Sequence, residues 1–218
     1  MEITLRYATV LVIQPDLIPP VLEFFVGRSG IHSSEARVQL RAWYLFSRLI
    51  GKIQKHAAPM SEQIIGAFTD LLEIRVKPAL ESGDTDSDTD SEQQDAFFDS
   101  QLYLFQSAGL LIASSRNNNL AVGQALLQSL TANIDECIQA ATANQAVILN
   151  VHHSIMAIGD IAKGFEGASD ITASTRQGAG TQLFTSPSET ILKGLERLEE
   201  SVSIRDAVRF PNHRFEFG

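Results

Sequence analysis

The chain has 218 residues, 44% of them apolar, with a single cysteine and a formal net charge of −9. That is enough apolar side chain for one large core or two small ones, while a lone cysteine excludes an internal disulfide and a cysteine-rich metal site. The longest apolar runs, such as Tyr7–Ile13, are far short of a membrane span, and no basic-then-apolar signal segment opens the chain.

The acidity is local. Residues 81–95, ESGDTDSDTDSEQQD, hold seven acids and no base; of the 26 acids in the chain, the other 19 nearly balance 17 Lys and Arg. An anionic partner elsewhere on the molecule is therefore not excluded.

Residues 2–13 are apolar and fit a helix, one that opens without a capping residue ahead of it. Pro15 begins a second helix to about Val26, with Leu17, Val21, Leu22 and Phe25 at helical spacing and Pro19 and Pro20 in its first turns. Gly27 and Gly30 end it, and Ser33 or Ser34 is placed to cap the next helix. Residues 34–56 form the most strongly two-faced stretch. At about 100° per residue, Ala42, Leu45, Phe46, Leu49 and Ile53, with Val38, take one broad side, extended by Trp43 and Ile50. Arg37, Arg41, Arg48, Lys52 and Lys55 fall within roughly 60° of one another on another side.

Pro59 starts a further helix, expected over 59–77, that sets Ile64, Ile65, Phe68, Leu71, Leu72 and Val76 on one side and stops at Pro78. The acidic insert 81–95 alternates Asp with Ser and Thr and is expected to be disordered. Thr85, Ser87 and Thr89 have acids shortly downstream, so phosphorylation there would add further charge. A helix resumes near Phe97 and runs to Ser114–Ser115, and Asn117–Asn119 make a polar turn. Two more helices are expected, about 118–141 and 143–165, the second with a regular stripe from Ile148 to Phe165. Residues 166–186, rich in Gly, Ser and Thr, read as a loop. Ser186-Pro187-Ser188-Glu189 then fits a capping box that opens a last helix, 187–210.

These segments pair up as about 15–56, 59–115, 118–165 and 187–210, with no surviving strand pattern. Discounting the insert, the spacing approaches the ~40–47 residues of two-helix repeats. The expected fold is an all-α solenoid of antiparallel HEAT-type helix pairs in one segment, 1–218. In such repeats the second helix of each pair lines the concave face, which would turn the basic row inward.

Other constellations are weaker. His152 and His153 are adjacent and point about 100° apart on a helix, and neither has a third ligand at i+4, so a metal hydrolase reading has little support. Gly178-Ala179-Gly180-Thr181 resembles a phosphate loop but follows no strand and lacks the lysine. Asp160 and Lys163 make a surface pair, and Cys137 sits on an apolar side. No acid, base and nucleophile converge, so no catalytic activity, cofactor or metal is expected.

His32-Ser33-Ser34 leading into Ala36-Arg37-Val38, then Tyr44-Leu45-Phe46-Ser47-Arg48, resembles the exportin-T family of karyopherins. Arg6-Tyr7, Ile18-Pro19 and Val21-Leu22 agree with the preceding part of that pattern. Leu102-Tyr103-Leu104-Phe105 and Ala108-Gly109-Leu110-Leu111-Ile112 agree with the later part, whereas Gln106 stands where an acid is expected. The resemblance implies an internal slice of a longer HEAT-repeat receptor, with a repeat face exposed at each end. It also implies binding of tRNA together with Ran-GTP, passage through the nuclear pore by contact with pore proteins, and shuttling between nucleus and cytoplasm without membrane insertion. The basic row would then meet tRNA phosphates. The alternative is a HEAT scaffold that holds protein partners and touches no RNA.

Overall fold

Apolar side chains that recur every three or four residues are satisfied by helices, and the described part of the chain is built from them. The computed structural model describes residues 1–76, 87–114, 120–139, 145–168 and 172–209, with helices and turns and no strand among the described residues. The N-terminal segment breaks at Tyr7 into α1 (Glu2–Arg6) and α2 (Ala8–Ile13). A single turn over Pro15–Leu17 leads into α3 (Ile18–Val26), whose prolines stand in the first turn, where a missing N–H costs nothing. The turn after α3 is tight. The Ile31 N–H returns to the Phe25 carbonyl at 2.8 Å, and a Cβ on Gly30 would lie 1.8 Å from that oxygen, so no larger residue fits.

α4 (Ala36–Ala57) is rich in good helix formers and buries Ala42, Trp43, Leu45, Phe46, Leu49, Ile50, Ile53 and Ala57. Each large side chain on this face contributes on the order of 1.5–3 kcal/mol by leaving water. Its entry differs from the capping expected of Ser33 or Ser34. Glu35 is the capping position, and Ser33 Oγ instead accepts the Glu35 N–H at 3.2 Å, which makes a turn ahead of the helix. Val38, expected on the apolar side, is 41% exposed and lines an open recess beside Met1 and Leu45.

The helix expected over 59–77 is interrupted. A single turn at Ala58–Met60, α5 (Ser61–Gly66) and a turn at Thr69–Leu72 replace it. Gly66 favours a stop, and Thr69 Oγ1 donates back to the Ile65 carbonyl at 2.9 Å. The apolar stripe survives the break, with Ile64, Ile65, Phe68 and Leu72 buried.

α6 (Ser87–Ser114) begins inside the acidic stretch 81–95 expected to be disordered. Residues 81–86 lie outside the described residues, but from Ser87 the backbone is helical, and an acid-rich sequence suits the positive end of a helix dipole. α7 (Leu120–Gln139) and α8 (Gln145–Glu166) come next. The expected turn at Asn117–Asn119 and the tail beyond residue 209 lie outside the described residues.

The largest difference concerns the last third. The loop expected over 166–186 is helical from Ala173, and α9 (Ala173–Arg209) runs through Pro187, so the Ser186–Glu189 motif does not start a helix. Tertiary contacts override weak local propensity here. Leu183 is buried against Gly123, Phe184 meets Phe165 edge to face at 5.9 Å, and Gly194 nests among Ile134, Ile155 and Val151. The Thr181 and Thr185 hydroxyls donate to carbonyls one turn back. Arg176 Nη1 donates to the Glu166 and Ala168 carbonyls at 2.7 and 2.6 Å, which ties the start of α9 to the end of α8.

The helices stack in two rows. In one row α4, α6 and α8 run parallel. Trp43 meets Phe97, Tyr44 meets Tyr103, and Gln54 Nε2 donates to Ser114 Oγ at 2.7 Å, so partners advance together along α4 and α6. Phe98 stacks on His153 near the middle of α6 and α8, and Gly109 and Gly164 bring their backbones together toward the C-terminal ends. In the second row α7 and α9 are parallel to each other, joined through Gly123 with Leu183 and Ile134 with Gly194. α9 runs antiparallel to α8, since Phe184 meets Phe165 while Gly194 meets Val151 and Ile155. The fold is an all-α solenoid of antiparallel helix pairs.

Candidate nucleic-acid interface

α4 holds the candidate site. From Ala36 to Ala57 it carries five Lys and Arg and no acid. Packing of its apolar side, with Leu45, Phe46, Leu49 and Ile53, against α2, α3 and α6 fixes its rotation. Arg37, Arg41, Arg48, Lys52 and Lys55 are left exposed. All five expected residues therefore share the solvent side of one helix. Lys55 and His56 fall in the last turn, where cations are favoured by the dipole.

Arg41 is held on two sides. Its Nε and Nη2 donate to Glu2 Oε1 at 3.0 and 2.8 Å, and its guanidinium lies 5.3 Å from the centre of the Tyr44 ring. Arg37 and Arg41, with Met1, Glu2, Val38 and Leu45, line an open recess of about 330 Å³. Arg37, Arg48 and Lys52 make no ion pair with a described residue. Across the parallel stack the positive charge falls away: α6 contains no Lys or Arg, and α8 contains Lys163 alone, 3.7 Å from Asp160. Burial raises the Asp160 carboxyl above the usual range more than Lys163 lowers it.

Two aromatic residues join the site that the charge pattern alone did not bring out. Tyr44 falls about 20° to one side of the wheel sector of the basic row, and Tyr103 on α6 packs beside it, ring centres 5.2 Å apart at 74°. Tyr44 was legible from the α4 periodicity. Tyr103 stands 59 positions later across the acidic insert, and only the stacking of α4 on α6 brings it in.

The remaining sequence candidates disperse. His153 is buried and stacked on Phe98 at 3.7 Å, while His152 faces solvent, so the pair does not converge. Gly178–Thr181 lies inside α9. Cys137 is buried, and burial pushes its thiol up. No helix among the described residues is long and apolar enough to cross a membrane.

Comparison with known proteins is consistent along the chain. The family model described as Exportin-T matches residues 1–216. Exportin-T of Phaeosphaeria nodorum is 36% identical over 217 residues, covering 96% of this chain and 21% of that protein. Exportin-T of Aspergillus terreus is 36% identical over 221 residues, and that of Aspergillus oryzae 32% over 220, with the same coverage. The chain thus spans about a fifth of the length of the curated relatives it matches.

Proposed function

The chain belongs to the Exportin-T family, and on that premise we propose that it is a HEAT-repeat segment of a nuclear export receptor that carries tRNA from nucleus to cytoplasm. In this reading the complete receptor binds tRNA together with Ran in its GTP form, contacts nuclear pore proteins in transit, and shuttles between the two compartments. It needs no cofactor and performs no catalysis. The observation that carries the reading is the acid-free helix α4, with Arg37, Arg41, Arg48, Lys52 and Lys55 all exposed on it. Successive cations along one rod suit a polyanion held by its backbone, largely without regard to sequence.

The test is Arg37→Glu, Arg41→Glu and Arg48→Glu together in the full-length receptor, with tRNA binding measured in the presence of Ran-GTP across salt concentrations. Binding is expected to weaken at least tenfold at low salt. The slope of log K against log[salt] is expected to flatten by about two, because each lost phosphate contact removes roughly 0.7–0.9. Undiminished binding with an unchanged slope would leave the protein-scaffold reading in its place.

A further inference from the structure

The basic row ends at the edge of α4, and α6 has no Lys or Arg with which to extend it. What α6 presents there is an aromatic ring. Tyr103 is 37% exposed and lies level with Tyr44, between the turns that carry Arg41 and Arg48. Those two arginines are seven residues apart, about 10 Å along the helix. The Tyr44 ring is occupied on one side by the Arg41 guanidinium and meets Tyr103 at 74°. At that angle the rings meet edge to face and do not stack on one another, and Tyr103 keeps part of its side chain in solvent. Arg41 holds Tyr44, Tyr44 holds Tyr103, and cations stand on either side.

We propose that Tyr103, buttressed by Tyr44, is a stacking platform for an unpaired nucleobase of the bound RNA, whose flanking phosphates lie against Arg41 and Arg48. This rests on the RNA-carrier reading above and adds to it a preference for a strand whose base is free to leave its helix. Every base has a π-face, so the contact is tolerant of sequence but not of pairing.

The experiment uses the full-length receptor with Ran-GTP and two probes, a tRNA transcript and a fully paired RNA duplex of equal phosphate number. Tyr103→Leu is expected to weaken tRNA binding by about 5- to 150-fold, the loss of one base–aromatic stack. Its affinity for the duplex and the salt slope for tRNA should be unchanged, and Tyr103→Phe should stay within twofold of the parent for tRNA. Equal loss with Leu and Phe, equal loss for tRNA and duplex, or no loss with Leu would each overturn the platform. Photocrosslinking of 5-iodouridine-substituted tRNA to the unmutated receptor tests it without a substitution: crosslinks are expected at Tyr103 or Tyr44, and their absence from that peptide pair overturns it. Failure of the RNA-carrier reading looks different, because the charge-reversal variant would then keep its tRNA affinity and salt slope whatever Tyr103 does.

Discussion

Four glycines in the row α4–α6–α8 give the strictest test of how these helices stack, because the same substitution is expected to act with opposite sign. At Gly109 an added Cβ would lie 2.0 Å from the Ile161 carbonyl oxygen, and at Gly164 it would lie 1.9 Å from that of Gln106. Both fall about 1.4 Å short of the 3.4 Å at which ordinary contact begins. The obstructing atoms are main-chain carbonyls inside helices, which cannot swing aside as a side chain would, so α6 and α8 must separate. A gap of that size forfeits much of the dispersion between the facing side chains, and overpacking of this kind costs about 3 kcal/mol. Better helix propensity returns about 1 kcal/mol, leaving a net loss of about 2 kcal/mol for Gly109→Ala. At Gly51 and Gly159 nothing lies within 4 Å, so there the same change is expected to stabilise by up to about 1 kcal/mol. For a chain of this size, 1 kcal/mol moves the midpoint by roughly 2–4 °C. Thermal unfolding should therefore show Gly109→Ala about 4–8 °C below the parent and Gly51→Ala a few degrees above it. Circular dichroism and fluorescence of Trp43, the single tryptophan and fully buried, give two independent readouts. If Gly109→Ala and Gly51→Ala shift the midpoint in the same direction, the close approach of α6 and α8 is wrong.

Glu2 neutralises Arg41 across an exposed contact, and such pairs contribute little to stability. Glu2→Gln is expected to leave the midpoint unchanged while raising tRNA affinity of the full-length receptor about two- to fivefold at low salt; lower affinity would mean that Glu2 orients Arg41 for binding instead of competing for it. Asp160 titrates above its ordinary value because it is partly buried. With the folded-state pKa raised, its contribution to stability is present below the unfolded pKa and is lost as pH rises through the folded one. Asp160→Asn should therefore be at least as stable as the parent at pH 7 and lose that advantage as pH falls through the carboxylate range. A parent more stable than the variant at pH 7 would show that the Lys163 pairing outweighs desolvation.

Much of the candidate site is legible in the sequence. Spacing alone set Arg37, Arg41, Arg48, Lys52 and Lys55 on one sector of a helix and Leu45, Phe46, Leu49 and Ile53 on another, because a 3.6-residue period is a local property. The same arithmetic failed over 173–186, where Gly, Ser and Thr favour a loop in isolation. There α9 is held by Leu183, Phe184 and the Arg176 contacts to the end of α8, none of which local propensity can report. Gly66 shows the converse, since its breaking tendency prevailed where a continuous apolar stripe suggested one helix.

What the residues determined by themselves was therefore the set of amphipathic rods and the charge each one carries. Which rods lie side by side, and so which side chains from distant positions meet, was decided only on folding. Tyr103 joins Tyr44 and Arg41 because α4 and α6 pack in parallel, held in register by Trp43 against Phe97 and by Gln54 with Ser114. Contacts of that kind are sums over many partners far apart in the chain, and no local window contains them.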